Sequence, residues 1–174
     1  AAYTLKKPVK YSLHRMDDMI MTGKRHPYSS DFKIGLNKDL KIIAYEVVFY
    51  QNAGAAADLS PAVLERTLFH STNSYYIPNV KATAYSCRTN LPPNTAFRGF
   101  GGPQAMLVIE EVIAQAAQRL GIPAESIRER NFYRDGQQTH YGQTVDDASR
   151  ISQAWELVKT SSAFAARRAE IEPQ

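Results

Sequence analysis

The sequence predicts an α+β fold with an antiparallel sheet and helices packed against it. Apolar and polar residues alternate through much of residues 1–90, the period of strands. From residue 103 onward the apolar residues recur every three or four positions, the period of helices. Strands gathered first and helices later form an α+β pattern, because βα alternation is missing. At 174 residues, with 44% hydrophobic and 22% charged side chains, the chain has the composition of a globular unit. No repeat or low-complexity linker divides it, so residues 1–174 read as one piece, strand-rich over 1–90 and helix-rich over 103–174.

Each element has its own signal. Val9, Tyr11 and Leu13, then Met19 and Met21, alternate with other residues, so 8–22 reads as extended. Residues 22–27 break that run. Phe32, Ile34 and Leu36 mark a strand, Asn37 to Asp39 a turn, and Leu40 to Gln51 a long strand rich in Ile, Val, Tyr and Phe. Together they predict an antiparallel hairpin over 31–52. Small residues over 52–57 make a loop. Ser60 then Pro61 reads as N-cap and first helical position, with the helix running to about Ser71. Tyr75 to Thr89 is strand-like, and 90–102 is irregular.

Pro103 starts the longest helix. Met106, Ile109, Ile113, Ala117 and Leu120 share one face, and Gly121 can end it. Pro123 opens a shorter helix to about Asn131, and 134–146 is a polar loop. Ile151, Trp155 and Val158 mark a further helix, and Ala163 to Glu172 a last one.

The net charge of +4, from 21 basic and 17 acidic residues, is mild. Lys6, Lys7, Lys10 and the run Arg128 to Arg134 read as solvated surface rather than a nucleic-acid face. Cys87, the lone cysteine, cannot form an internal disulfide and reads as a buried thiol. No apolar run reaches membrane-spanning length and no signal peptide is visible. The chain opens on Ala1 rather than methionine, as a processed chain or a piece of a longer one would. His14, His26, His70 and His140 lack metal-ligand spacing. Ser60 and Ser86 lack a nucleophile elbow. Asp17, Asp18, Glu110 and Glu111 read as surface charges.

Asn94 to Gln104 is the most chemically loaded stretch. It sets Arg98 between Phe97 and Phe100, adds Gly99, Gly101 and Gly102, and reaches a proline where a helix begins. Glycine lets backbone N–H groups approach a ligand, and a helix N-terminus favours an anion. The spacing is neither the dinucleotide fingerprint nor a P-loop. The loop reads either as a tight strand-to-helix connection or as a cradle for an anionic or oxo ligand. Arg66, within an apolar helix, is either a surface arginine or one aimed at a substrate carbonyl or oxyanion. Local chemistry supplies no catalytic base.

These segments resemble the molybdenum-binding portion of the xanthine dehydrogenase/aldehyde oxidase family. The matching residues are Arg15 to Met19, Thr22 to Pro27, Asn52 to Gly54, Asp58 to Ser60, Glu65–Arg66 with Phe69–His70, Thr89–Asn90 and Asn94 to Gln104, in the family's order. Similarity continues through Gly121 to Ala124, Arg130–Asn131, Thr139–His140 and Trp155. The resemblance implies part of a larger molybdopterin-binding domain. It assigns Arg98, by its backbone, to the molybdenum centre, with Phe97 and Gly99 on the cofactor side. It assigns Phe100 to stacking on a flat substrate and Arg66 to orienting a purine and stabilising its developing charge.

Aldehyde oxidases of the family usually carry an apolar residue where Arg66 stands, so hypoxanthine or xanthine is the expected substrate. The alternatives are an aldehyde or N-heterocycle oxidoreductase, or a non-catalytic module. The family's base is a glutamate outside this stretch, so no catalytic residue is assigned and the chain alone is expected to be inactive. Iron–sulfur and FAD modules are expected elsewhere in a cytoplasmic parent enzyme, with no nucleic-acid or membrane partner.

Overall fold

The computed structural model describes residues 1–171, so the expected end of the last helix at Glu172 lies outside the described residues. Its three-stranded sheet has the order β1 (Tyr28–Leu36), β2 (Ile42–Gly54), β3 (Val80–Arg88). The hairpin is present: β1 and β2 pair antiparallel, with Phe32 opposite Val47. The class is α+β as expected, but the sheet is mixed, because β3 runs parallel to β2 with Ala84 opposite Phe49. Alternation encodes which face a residue takes, not which way its strand runs. The direction is set by α3 (Ser60–Phe69), which lies between β2 and β3 and returns the chain to the starting end, as a parallel pair requires.

β2 is the centre of the sheet and of the core. Tyr45, Val47 and Phe49 are fully buried and pack with Ile109, Val112 and Ile113 of α4 (Gly102–Leu120) and Ile127 of α5 (Ala124–Asn131). Burying one such aliphatic side chain contributes roughly 2 kcal/mol. Of the apolar stripe expected on α4, Ile109, Ile113 and Ala117 are buried, Met106 is half-buried and Leu120 is exposed. Ala105 and Val112 complete the buried face instead. The outer face of the sheet stays open: Tyr50 and Tyr85 stack there with ring centres 5.7 Å apart.

Several local expectations are corrected. Residues 8–22 are not extended: α1 (Ala2–Leu5) is followed by irregular chain and then α2 (Arg15–Met21). The His14 side chain accepts from the Met16 N–H, and Asp17 and Asp18 sit in the first turn, where the helix dipole favours acids. Neither α1 nor α2 buries a residue. Ser60 is the first helical residue, with Leu59 at the cap, and its hydroxyl turns inward to His26. The third strand starts at Val80 rather than Tyr75, because Tyr75 pairs instead with Phe132. Cys87 is only half-buried, since β3 is an edge strand.

Glu110 is also no surface charge. It accepts from Tyr75 Oη at 2.6 Å, Asn73 Nδ2 at 3.0 Å and Arg128 Nε at 2.8 Å. Arg128 therefore leaves the solvated run to which its sequence neighbours belong. The last helices, α6 (Ser149–Ser161) and α7 (Phe164–Ile171), bury none of their residues. Trp155 of α6 meets Phe132 edge-on at 5.3 Å and donates through Nε1 to Glu129.

Candidate cofactor and substrate site

The irregular chain before α4 is pinned to the end of β2. Asn94 is buried; its N–H donates to the Ala53 carbonyl at 3.0 Å and its Nδ2 to the Asn52 carbonyl at 2.9 Å. Asn52 Oδ1 accepts from Thr89 Oγ1 and from the Gly54 N–H. Thr95 N–H reaches the Lys24 carbonyl. A side chain at Gly54 would lie 2.3 Å from the Pro92 carbonyl oxygen, and one at Gly23 would lie 2.2 Å from that of Pro93. These close approaches leave no room for a side chain at Gly23 or Gly54 and bring the 22–27, 52–54 and 89–94 segments together. They build the wall that carries the loop.

The loop turns through three successive left-handed residues: Gly99 (φ 91°), Phe100 (φ 51°) and Gly101 (φ 100°). Phe100 is costly there, by about 1 to 3 kcal/mol, and its conformation persists because its neighbours fix it. Its N–H donates to the Phe97 carbonyl at 2.8 Å, and that of Gly102 to Gly99 at 3.0 Å. Gly101 packs so closely on α3 that an added Cβ would sit 2.2 Å from the Val63 carbonyl oxygen. Gly102 sits more loosely against the His70 ring, where an added Cβ would lie 3.1 Å from Cδ2. The N–H groups of Arg98, Gly99 and Gly101 have no acceptor among the described residues. They stand immediately before the positive end of the 19-residue helix α4.

A polar chain, buried at Gln51 and Thr67, backs this contact. Ser86 Oγ donates to Gln51 Oε1 at 2.9 Å, and Gln51 Nε2 donates to Tyr28 Oη at 2.7 Å. Tyr28 Oη and Thr67 Oγ1 share a hydrogen bond of 2.9 Å, and Thr67 Oγ1 reaches the Val63 and Gly101 carbonyls at 3.0 and 3.2 Å. Burial pushes the Tyr28 phenol above its ordinary range, so it stays a neutral donor. The sheet thereby holds Gly101 through Thr67.

The structure brings Phe97, Arg98, Gly99 and Phe100 together at the mouth of α4 and sets Arg66 in the helical turn that meets them. Phe97, Arg98, Gly99 and Arg66 are exposed, and Phe100 is half-buried. The Arg66 and Arg98 side chains have no hydrogen bond or ion pair among the described residues. His70, one turn after Arg66, is held below the ordinary histidine range by burial first and the Arg66 charge second, so it is neutral at pH 7. His140 braces this end of α3: its Nε2 lies 2.9 Å from the Leu68 carbonyl oxygen, and Tyr141 meets Phe69 edge-on at 5.0 Å.

Sequence reasoning missed three contributors. Arg25 Nη2 donates to the Arg98 carbonyl at 2.7 Å, and its guanidinium lies 4.4 Å from the centre of the Phe97 ring. His26, fully buried, lies with Nε2 2.7 Å from Ser60 Oγ. Thr67 carries the link to Gly101. The signal for all three lay in the company they keep, Lys24 to Pro27 and Arg66 to His70, but not in their own spacing. Among the described residues no cluster of three or more His, Cys, Asp or Glu side chains could hold a metal ion. The site offers instead backbone donors, a helix terminus and free guanidinium groups, a donor set suited to an anionic organic cofactor that brings its own metal.

The molybdopterin cofactor-binding domain family matches residues 1–132. The xanthine dehydrogenase/oxidase of Felis catus is 44% identical over 170 residues, 98% of this chain and 13% of that protein. A nicotinate hydroxylase of Emericella nidulans is 41% identical over 172 residues, 99% of this chain and again 13% of the relative. The solved aldehyde oxidoreductase from Desulfovibrio gigas has a TM-score of 0.75 at 26% identity, over 91% of this chain and 17% of that one. The chain thus spans 13% of the length of those two relatives. With its glycine loop, mixed sheet and backbone donors, the chain belongs to the molybdopterin cofactor-binding domain family and corresponds to a molybdopterin-binding region of the xanthine dehydrogenase family.

Proposed function

We propose that this chain supplies the substrate-orienting and metal-side part of the site in a molybdenum hydroxylase that oxidises hypoxanthine or xanthine. Arg66 carries the reading. It is a guanidinium with no partner among the described residues, on the turn of α3 that packs against the loop. Its exposed guanidinium is held by water alone among the described residues, so a ligand carbonyl or developing oxyanion at this face would replace that water with a fixed partner. Arg66 would donate to a purine carbonyl and stabilise negative charge as it develops on the ring. Neutral His70 beside it adds no second positive charge to repel the guanidinium. Phe100, held by its left-handed backbone, would give the ring a flat face. The free N–H groups of Arg98 and Gly99, with Phe97 beside them, would hold the cofactor at the positive end of α4.

When bound, molybdenum–molybdopterin would supply the two-electron redox chemistry of the hydroxylation, with water as the oxygen source. The proton-abstracting glutamate, the iron–sulfur clusters and the FAD belong to other parts of a cytoplasmic enzyme. The 174 residues alone would show no turnover.

A second reading has its own support. Arg66 suits the carboxylate of nicotinate as well as a purine carbonyl, and a nicotinate hydroxylase is among the close relatives. Turnover of xanthine, nicotinate and a simple aldehyde by the full-length enzyme separates the readings. Xanthine is expected to lead in kcat/KM by at least roughly tenfold, about 1.4 kcal/mol of discrimination. Preference for nicotinate would install the second reading, and a full-length protein without molybdenum would leave a non-catalytic module.

A further inference from the structure

Arg25 has a use that its sequence position does not announce. It is half-buried, and one of its nitrogens, Nη1, is buried without a partner. No carboxylate pairs with it among the described residues. Burying part of a charge without pairing it is costly, so the position has a reason other than local stability. Its two contacts are the Arg98 carbonyl and the face of Phe97.

A peptide plane is rigid, so the direction of a carbonyl fixes the direction of the N–H in the same plane. The carbonyl of Arg98 shares its plane with the N–H of Gly99, and the two point oppositely across a trans bond. Gly99 is left-handed and has no Cβ to resist rotation of that plane. A charged donor on the Arg98 carbonyl therefore stops the plane from flipping. It also polarises the amide, which makes the Gly99 N–H a stronger donor. That N–H is one of the loop's groups without an acceptor. The Phe97 ring, under the same guanidinium, keeps Arg25 in register.

We propose that Arg25 is a positioning residue of the cofactor site: it locks the Arg98–Gly99 peptide so that the Gly99 N–H faces the anionic cofactor. This rests on the reading of the loop as the cofactor's seat. Its neighbours support the geometry, since buried His26 and the Thr95–Lys24 backbone bond hold the segment that carries Arg25.

The test uses the full-length enzyme with Arg25→Met, Arg25→Lys and Phe97→Leu. Molybdenum and pterin per polypeptide and the rate of cofactor loss on dilution are measured, with thermal unfolding alongside. Arg25→Met should lose cofactor about 10- to 100-fold faster, the range found when a group that orients a metal site is removed. Arg25→Lys keeps a charged donor for the Arg98 carbonyl and should stay within roughly threefold of wild type. Phe97→Leu should fall between them. Rescue by lysine at an unchanged unfolding temperature marks positioning. Equal losses in the Lys and Met variants, tracking the unfolding temperature, would overturn the proposal, as would wild-type retention in Arg25→Met. A wild-type enzyme with no molybdenum or pterin would overturn the cofactor reading itself, and this inference with it.

Discussion

Arg128 and Arg66 both sit on helices packed against α4, and their surroundings differ completely. Arg128 Nε reaches Glu110 at 2.8 Å, and the other Glu110 oxygen accepts from Tyr75 and Asn73. Asn131 nearby is equally occupied, accepting from the Ile42 N–H and donating to the Leu40 and Ile127 carbonyls. Arg66, by contrast, faces no acceptor among the described residues, and the Arg98, Gly99 and Gly101 N–H groups of the adjoining loop have none either. The first region is a closed network whose members satisfy each other. The second leaves donors open around a strained backbone. A closed network stabilises a fold, whereas donors left open to solvent can exchange water for a ligand.

The largest effect should come from filling the contact on which the open region is built. Gly101→Ala adds a Cβ 2.2 Å from the Val63 carbonyl oxygen at a φ of 100°. Overpacking and left-handed strain together should cost about 4 kcal/mol in urea unfolding of the chain. Gly136→Ala is the control: its φ is also positive, 80°, but an added Cβ meets nothing within 4 Å. It should cost about 1 kcal/mol. Equal costs at both positions would mean that the tight seat of the loop on α3 does not matter.

Arg66→Met in the full-length enzyme should lower kcat/KM for a purine about a hundredfold, roughly 2.7 kcal/mol of transition-state stabilisation. Unfolding should shift by less than about 0.5 kcal/mol, because nothing in the fold loses a partner. Glu110→Ala should do the reverse, costing about 2 kcal/mol of stability because Arg128, Tyr75 and Asn73 lose their acceptor. That figure is moderated by partial exposure, with side chains 24% and 32% accessible in the Arg128–Glu110 pair. Its KM should stay put. A Glu110→Ala enzyme with intact stability and altered KM would erase the contrast between the two regions.

The same contrast explains what was legible in the sequence. The loop was legible because left-handed turns and close approaches demand glycine locally, and Gly99, Gly101 and Gly102 stand side by side. The hairpin was legible because alternation and a turn lie within one short stretch. The direction of β3 was not, since it depends on a crossover through α3. Glu110 and Glu111 are indistinguishable as neighbours in the chain, and the partners that separate them lie at Asn73, Tyr75 and Arg128. Arg25 meets Arg98 across 73 positions, and His26 meets Ser60 across 34. Local periodicity carries no record of such pairs, so the framework of the site came from the sequence and its bracing from the structure.

The smallest effect is also the sharpest test of where Arg66 lies. Burial holds His26, His70 and His140 below the ordinary histidine value of 6.5. Below that value the unfolded chain binds protons that the folded chain refuses, so stability contributed by these groups is present above pH 6.5 and lost as pH falls through their folded values. Arg66 adds to the depression at His70, after burial, and is not among the causes at His26 or His140. Arg66→Met should therefore move the His70 titration upward, toward 6.5, and leave the other two in place. Imidazole resonances of the chain followed by NMR across that range would show it. If His70 does not move, the guanidinium is not poised over the turn that meets Gly102, and the open region loses its charge. If all three move together, the substitution has loosened the fold, and Arg66 belongs with Arg128 among the braces rather than with the loop.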